Sequence, residues 1–161
     1  MYRLRKAPIP YKEIDSNVVS VVRAINRFPG IQTCGSCGGH KRPKPGQYHH
    51  GEWNVSFEIE PTEEGWFSLE FLSWLLNNDL RKAKIKVHLY PSAMPPYLNF
   101  PGRMLLFYID ARGWKPGDAA VTLERARKDL FVKPSQMVKF INYSWGKKEL
   151  KEYRRDKKRY F

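Results

Sequence analysis

Ile25-Asn26-Arg27-Phe28-Pro29-Gly30-Ile31-Gln32-Thr33-Cys34-Gly35-Ser36-Cys37-Gly38-Gly39-His40 is the stretch on which the reading of the fold turns. Upstream of it, Val18, Val21, Val22 and Ile25 recur at helical spacing, which predicts a helix over 17–28 with Asp15 or Ser16 as its cap. Pro29-Gly30 ends that helix, and Ile31-Gln32-Thr33-Cys34 reads as a short strand that breaks at the glycines. A helix therefore feeds a strand through a two-residue turn. The question becomes what the strand pairs with.

Working downstream, residues 38–51 form a basic loop without periodicity. Trp53, Val55, Phe57 and Ile59 alternate with Asn54, Ser56 and Glu58, the pattern of a half-buried strand. A helix is predicted over 68–78, with Leu69, Leu72, Leu75 and Leu76 on one face, and the aromatic residues Trp66, Phe67, Phe71 and Trp74 are assigned to the core. Ile85, Val87 and Leu89 alternate with Lys84, Lys86 and His88 to give a third strand with a basic outer face. Four prolines make 91–102 a stiff loop. An apolar run over 104–111 suits an interior strand, and a turn at Pro116-Gly117-Asp118 leads to a helix over 119–131. Residues 135–144 read as a further short helix. Strand pairs separated by helices predict an α+β fold. The expected organisation is a single domain over 1–146, a mixed or mostly antiparallel sheet with helices packed on it, and a basic helical tail over 147–161.

Composition agrees. The chain has 161 residues, 42% hydrophobic and 28% charged, enough to bury one sizeable core. No apolar run approaches the roughly 20 residues of a membrane helix. No apolar segment follows the basic start Met1-Tyr2-Arg3-Leu4-Arg5-Lys6, so no signal peptide is read and a cytoplasmic location without a membrane partner is expected. The two cysteines exclude a disulfide scaffold.

Charge carries more information. A net +13 and an isoelectric point near 9.8 point to a polyanionic partner, nucleic acid before others. The excess is concentrated at the ends. Arg3, Arg5, Lys6 and Lys12 have no acid among residues 1–12. Residues 147–161 set eight cations against Glu149, Glu152 and Asp156. Lys147, Lys151, Arg154 and Lys158 would share one helical stripe, and with Lys148 and Arg155 they are the candidate nucleic-acid contacts.

The glycine-rich segment is the second candidate site. Gly35, Gly38 and Gly39 would let the backbone leave the strand with positive φ and turn successive N–H groups inward, a cradle for phosphate. Gly35, Ser36, Cys37, Gly38, Gly39 and His40 are taken as its lining, with Lys41 and Arg42 closing over the anion. Zinc would need Cys34, Cys37, His40 and His49 or His50. Cys34 and Cys37 meet one metal only if the chain turns between them, so no metal site is expected. Asp110 is a candidate site acid, and Glu58, Glu60 and His88 are read as solvated. Tyr48, Tyr97 and Trp114 lie in loops where they could stack on a base. No dinucleotide fingerprint, P-loop or hydrolase elbow occurs.

The Ile25–His40 stretch resembles the N-terminal helix-strand motif of the wybutosine-synthesis tRNA methyltransferase family. It is closer still to uncharacterised phage and archaeal relatives with Pro-Gly-Ile-x-Thr-x-x-Ser-Cys-x-Gly-His, through Pro29-Gly30-Ile31, Thr33, Ser36-Cys37, Gly39 and His40. His40 stands where the methyltransferase pattern has arginine. The resemblance implies a strand-end site containing Ser36 and Cys37, and an S-adenosylmethionine-dependent tRNA-modifying activity. Three functions are thus expected, in order: an RNA-facing nucleic-acid binder, that enzyme, or a non-catalytic binder of a nucleotide or other phosphorylated small ligand.

Overall fold

Period-two alternation builds the sheet. In the computed structural model, which describes residues 8–77, 85–92 and 106–129, strand β2 (Glu52–Ile59) buries Trp53, Val55, Phe57 and Ile59 on one face. It pairs on one side with β1 (Ile31–Cys37) and on the other with β4 (Leu106–Arg112), which in turn pairs with β3 (Lys86–Pro91). The order is β1-β2-β4-β3, and every neighbouring pair is antiparallel. Strands β2 and β3 consequently run in the same direction with β4 inserted between them. The helix joining them makes a split crossover.

Among the described residues three helices cover the apolar face: α1 (Val19–Asn26), α2 (Glu63–Asn77) and α3 (Pro116–Asp129). Val21, Val22 and Ile25 from α1, Phe71, Leu72 and Leu76 from α2, and Leu123 from α3 join the sheet's Trp53, Phe57 and Ile109 in one buried cluster. Each such side chain contributes roughly 1.5–3 kcal/mol by leaving water. The fold is α+β, as the order of sequence patterns predicted. No helix among the described residues is long and apolar enough to cross a membrane.

The boundaries carry corrections. Val18, not Asp15 or Ser16, is the N-cap of α1, and it makes no side-chain cap; the Asp15 carboxylate instead accepts the Gly38 N–H at 2.8 Å. Strand β1 does not break at the glycines but runs through Gly35 and Ser36 to Cys37, with a bulge between Thr33 and Gly35. Helix α2 starts at Glu63 rather than near 68. Thr62 Oγ1 accepts the Gly65 N–H at 3.2 Å, and Glu63 and Glu64 suit the positive end of the helix. Pro116-Gly117-Asp118 is the first turn of α3, where proline's missing N–H does no harm. Phe67 and Phe71 are core, whereas Trp66 is 49% exposed. Trp114 is only 5% exposed, and its carbonyl accepts the Trp53 indole N–H at 2.7 Å, so it is a core residue and not a stacking platform. Tyr97, most of the 91–102 loop, the 135–144 helix and the 147–161 tail lie outside the described residues.

Two asparagines tie helix to sheet. Asn26, at the end of α1, accepts the Thr33 N–H at 2.9 Å and donates to Thr33 Oγ1 at 2.7 Å. Asn77, at the end of α2, accepts the Leu89 N–H at 2.8 Å and donates to the Leu89 carbonyl at 3.0 Å. This caps backbone groups on the outer edge of β3 that no strand pairs among the described residues. Between them, Gly30 turns with φ of 69° against the start of α2, where a Cβ would lie 2.7 Å from Gly65 Cα.

Candidate functional site

The face of the sheet opposite the helices is where polar and aromatic side chains collect. Register puts Cys37, Asn54, Asp110 and His88 in one row across the four described strands. The next row is Gly35, Ser56, Tyr108 and Tyr90. Arg112 and Lys86 pair beyond Asp110, and Arg112 lies 3.7 Å from Glu52. Opposed residues of antiparallel strands project on the same side, so these rows form one surface.

Asp110 is its centre. Tyr48, from the 38–51 loop, donates its hydroxyl to Asp110 Oδ1 at 2.7 Å, and Tyr90 donates to Oδ2 at 2.5 Å. Burial, reinforced by the hydrogen bond to this carboxylate and by its charge, pushes the Tyr48 phenol up to about 12. The same causes in the same order raise Tyr90. Both hydroxyls are therefore held protonated at neutral pH, as donors and not as phenolate bases. The Tyr90 and Tyr108 rings stand side by side, centroids 5.8 Å apart and 21° from parallel, and Tyr90 is 37% exposed. The result is a partly exposed aromatic pair beside an anchored carboxylate. His88 is exposed, as read from the sequence.

The glycine segment divides between two places. Cys34, Gly35 and Ser36 line a cleft of about 470 Å³ along β1 with Glu13, Glu58 and Gln32. Among the described residues its lining contains the two carboxylates Glu13 and Glu58 and no cation. Cys37, Gly38, Gly39 and His40 are not part of that lining. They turn toward the segment before α1, where Asn17 donates to the Gly38 carbonyl at 2.7 Å. The amides that a phosphate cradle would use already have acceptors: Gly38 N–H in Asp15, and His40 N–H in the Tyr48 carbonyl at 2.8 Å. Of the three glycines only Gly39 has positive φ. Gly35 is extended, and what excludes a side chain there is Ser56 Oγ, 2.7 Å from where a Cβ would sit. Lys41 and Arg42 are exposed.

The zinc set considered from sequence is not assembled as such. Cys34 lies at the bulge and donates its thiol to Ser56 Oγ at 3.5 Å. Cys37 and His40 converge instead with Asp15. Sequence reasoning missed Asp15, taken for a helix cap, and the Tyr90–Tyr108 pair. The signal for that pair was the alternation Tyr108, Asp110, Arg112 within an apolar run, mirrored by Lys86, His88 and Tyr90. Compared with protein-family models, with curated proteins and with solved structures, the chain matches none.

Proposed function

We propose that the protein binds single-stranded nucleic acid, RNA before DNA, on the open face of its sheet. The observation that carries this reading is the paired Tyr90 and Tyr108 rings on the side of the sheet that no described helix covers. Bases of a single strand stack on such aromatic platforms, each stack contributing about 1–3 kcal/mol. Asn54 and the hydroxyls around Asp110 offer hydrogen-bonding partners for base edges. Lys86, Arg112, and the loop cations Lys41, Arg42 and Lys44 supply positive charge for the phosphates, within a chain of net +13. Lys147, Lys148, Lys151, Arg154, Arg155 and Lys158 extend that charge in sequence and are proposed to act on the backbone without base selectivity.

The test is a set of anisotropy titrations of the full chain with labelled single-stranded RNA, single-stranded DNA and duplexes of equal length. Binding of the single strands at least about tenfold tighter than the duplex supports the reading, since paired bases cannot stack on the sheet. Equal or tighter binding of the duplex contradicts it and moves the weight to phosphate contacts alone.

A further inference from the structure

We propose that Asp15, Cys37 and His40 form a binding site for one divalent transition-metal ion, and that its donor set selects Zn2+. Among the described residues this is the one place where three metal-ligating side chains converge, a carboxylate oxygen, the Sγ and an imidazole nitrogen all lying within 4.8 Å of one another. His40 Nε2 is 3.4 Å from Asp15 Oδ2. Ligand atoms around tetrahedral zinc stand about 3.3–3.8 Å apart, so side-chain shifts of about 1 Å bring these donors onto one ion.

The backbone makes the convergence specific. On a straight strand Cys37 and His40, three positions apart, would point to opposite sides. The Gly38-Gly39 turn reverses this, and position 39 requires glycine. A Cβ at Gly38 would collide with the Asn17 side-chain amide, and one at Gly39, where φ is 80°, would collide with the Glu52 carbonyl. The Gly38 N–H holds the Asp15 carboxylate at 2.8 Å, and Asn17 holds the Gly38 carbonyl at 2.7 Å. The Tyr48 N–H points at Cys37 Sγ at 3.5 Å, a contact that orients the sulfur. Asp15 and Cys37 thus each have a supporting contact from a neighbouring segment, and the His40 backbone N–H is held by the Tyr48 carbonyl at 2.8 Å.

The chemistry of the set decides the ion. One thiolate, one imidazole and one carboxylate are too soft for Mg2+ or Ca2+ and too mixed for Cu(I), but they fit zinc. All three residues are partly exposed, which leaves a fourth position for water, the arrangement of an open rather than a closed zinc site. The expectation of no metal weighed Cys34, Cys37, His40 and either His49 or His50; the donor not weighed in the sequence was Asp15.

The experiment uses the full chain, freed of metal by chelation, titrated with Zn2+ in competition with a chromophoric chelator and separately with Co2+ as a spectroscopic probe. One equivalent should bind, and Co2+ should show a thiolate charge-transfer absorption. Cys37→Ser should abolish that absorption, and Cys37→Ser, His40→Gln and Asp15→Asn should each weaken Zn2+ by at least about a hundredfold. Asparagine at 15 keeps an acceptor for Gly38, and Cys34→Ser should change nothing. As a readout that needs no variant, Zn2+ should slow alkylation of Cys37 at least about tenfold, followed by mass spectrometry, while leaving the exposed Cys34 unprotected. Absence of stoichiometric binding, retention of the cobalt signature in Cys37→Ser, or protection of Cys34 in place of Cys37 would overturn the proposal.

Discussion

The Tyr48 hydroxyl lies 2.7 Å from Asp110 Oδ1, so the basic 38–51 loop is fastened to the middle of the sheet's open face. Tyr90 takes the other oxygen, and the two phenols share one carboxylate. The phenol of Tyr48, raised to about 12, stays protonated in the folded chain above the pH at which an unfolded tyrosine ionises, about 10. The linked stability is fully present below pH 10 and is lost as the pH climbs from about 10 through 12. A phenolate-absorbance titration should show Tyr48 and Tyr90 ionising after the exposed tyrosines, and Asp110→Asn should bring both forward. Simultaneous ionisation of every tyrosine near the ordinary value of about 10 would show that the network does not exist.

Asn26→Ala should destabilise the chain by about 1–3 kcal/mol, because it removes the clamp on Thr33 and leaves the Thr33 N–H without that acceptor. Asn26→Asp should cost less, since it keeps an acceptor for the N–H. Urea midpoints at constant slope check the order of the two variants; an alanine variant as stable as the parent would mean that the clamp contributes nothing.

Much of this architecture was legible in sequence because it rests on period and punctuation. Trp53 through Ile59 alternate, the leucines of α2 recur at helical spacing, and Pro29-Gly30 stops α1. What escaped is settled by tertiary packing. Gly35 reads as a break, yet it continues β1, because its missing Cβ makes room for Ser56 Oγ and not for a turn. Asp15 reads as a cap from its place before α1, but its partner is Gly38, 23 residues away. Trp114 reads as a loop aromatic until Trp53 is found bonded to its carbonyl. Tyr48, Asp110 and Tyr90 come from three distant segments, brought together by the register of β3 on β4 and by the folding of the 38–51 loop onto the sheet.

Gly30→Ala and Gly46→Ala should differ sharply although both glycines have positive φ, 69° and 84°. At Gly46 a methyl group meets nothing within 4 Å, so only backbone strain of about 1 kcal/mol is expected. At Gly30 it would meet the Gly65 backbone at 2.7 and 2.8 Å, which cannot swing away as a side chain can. A destabilisation of at least about 3 kcal/mol is expected there, read from chemical denaturation. Equal effects at both positions would mean that α2 does not press on this turn.

Removing residues 147–161 should weaken single-strand binding mainly through the phosphates. The plot of log affinity against log salt should become shallower by about 0.7 for each phosphate that the tail neutralises in the parent chain. An unchanged slope would take the tail out of the interface.

The central claim, that bases stack on the open face of the sheet, is tested most directly by the Tyr90→Ala, Tyr108→Ala double variant. Its affinity for single-stranded RNA is measured by anisotropy across a salt series beside the parent chain. Stacking on the two rings predicts an affinity at least about tenfold weaker at every salt concentration with an unaltered salt slope, since stacking surface is removed and no charge is changed. Parental affinity in the folded double variant would contradict it.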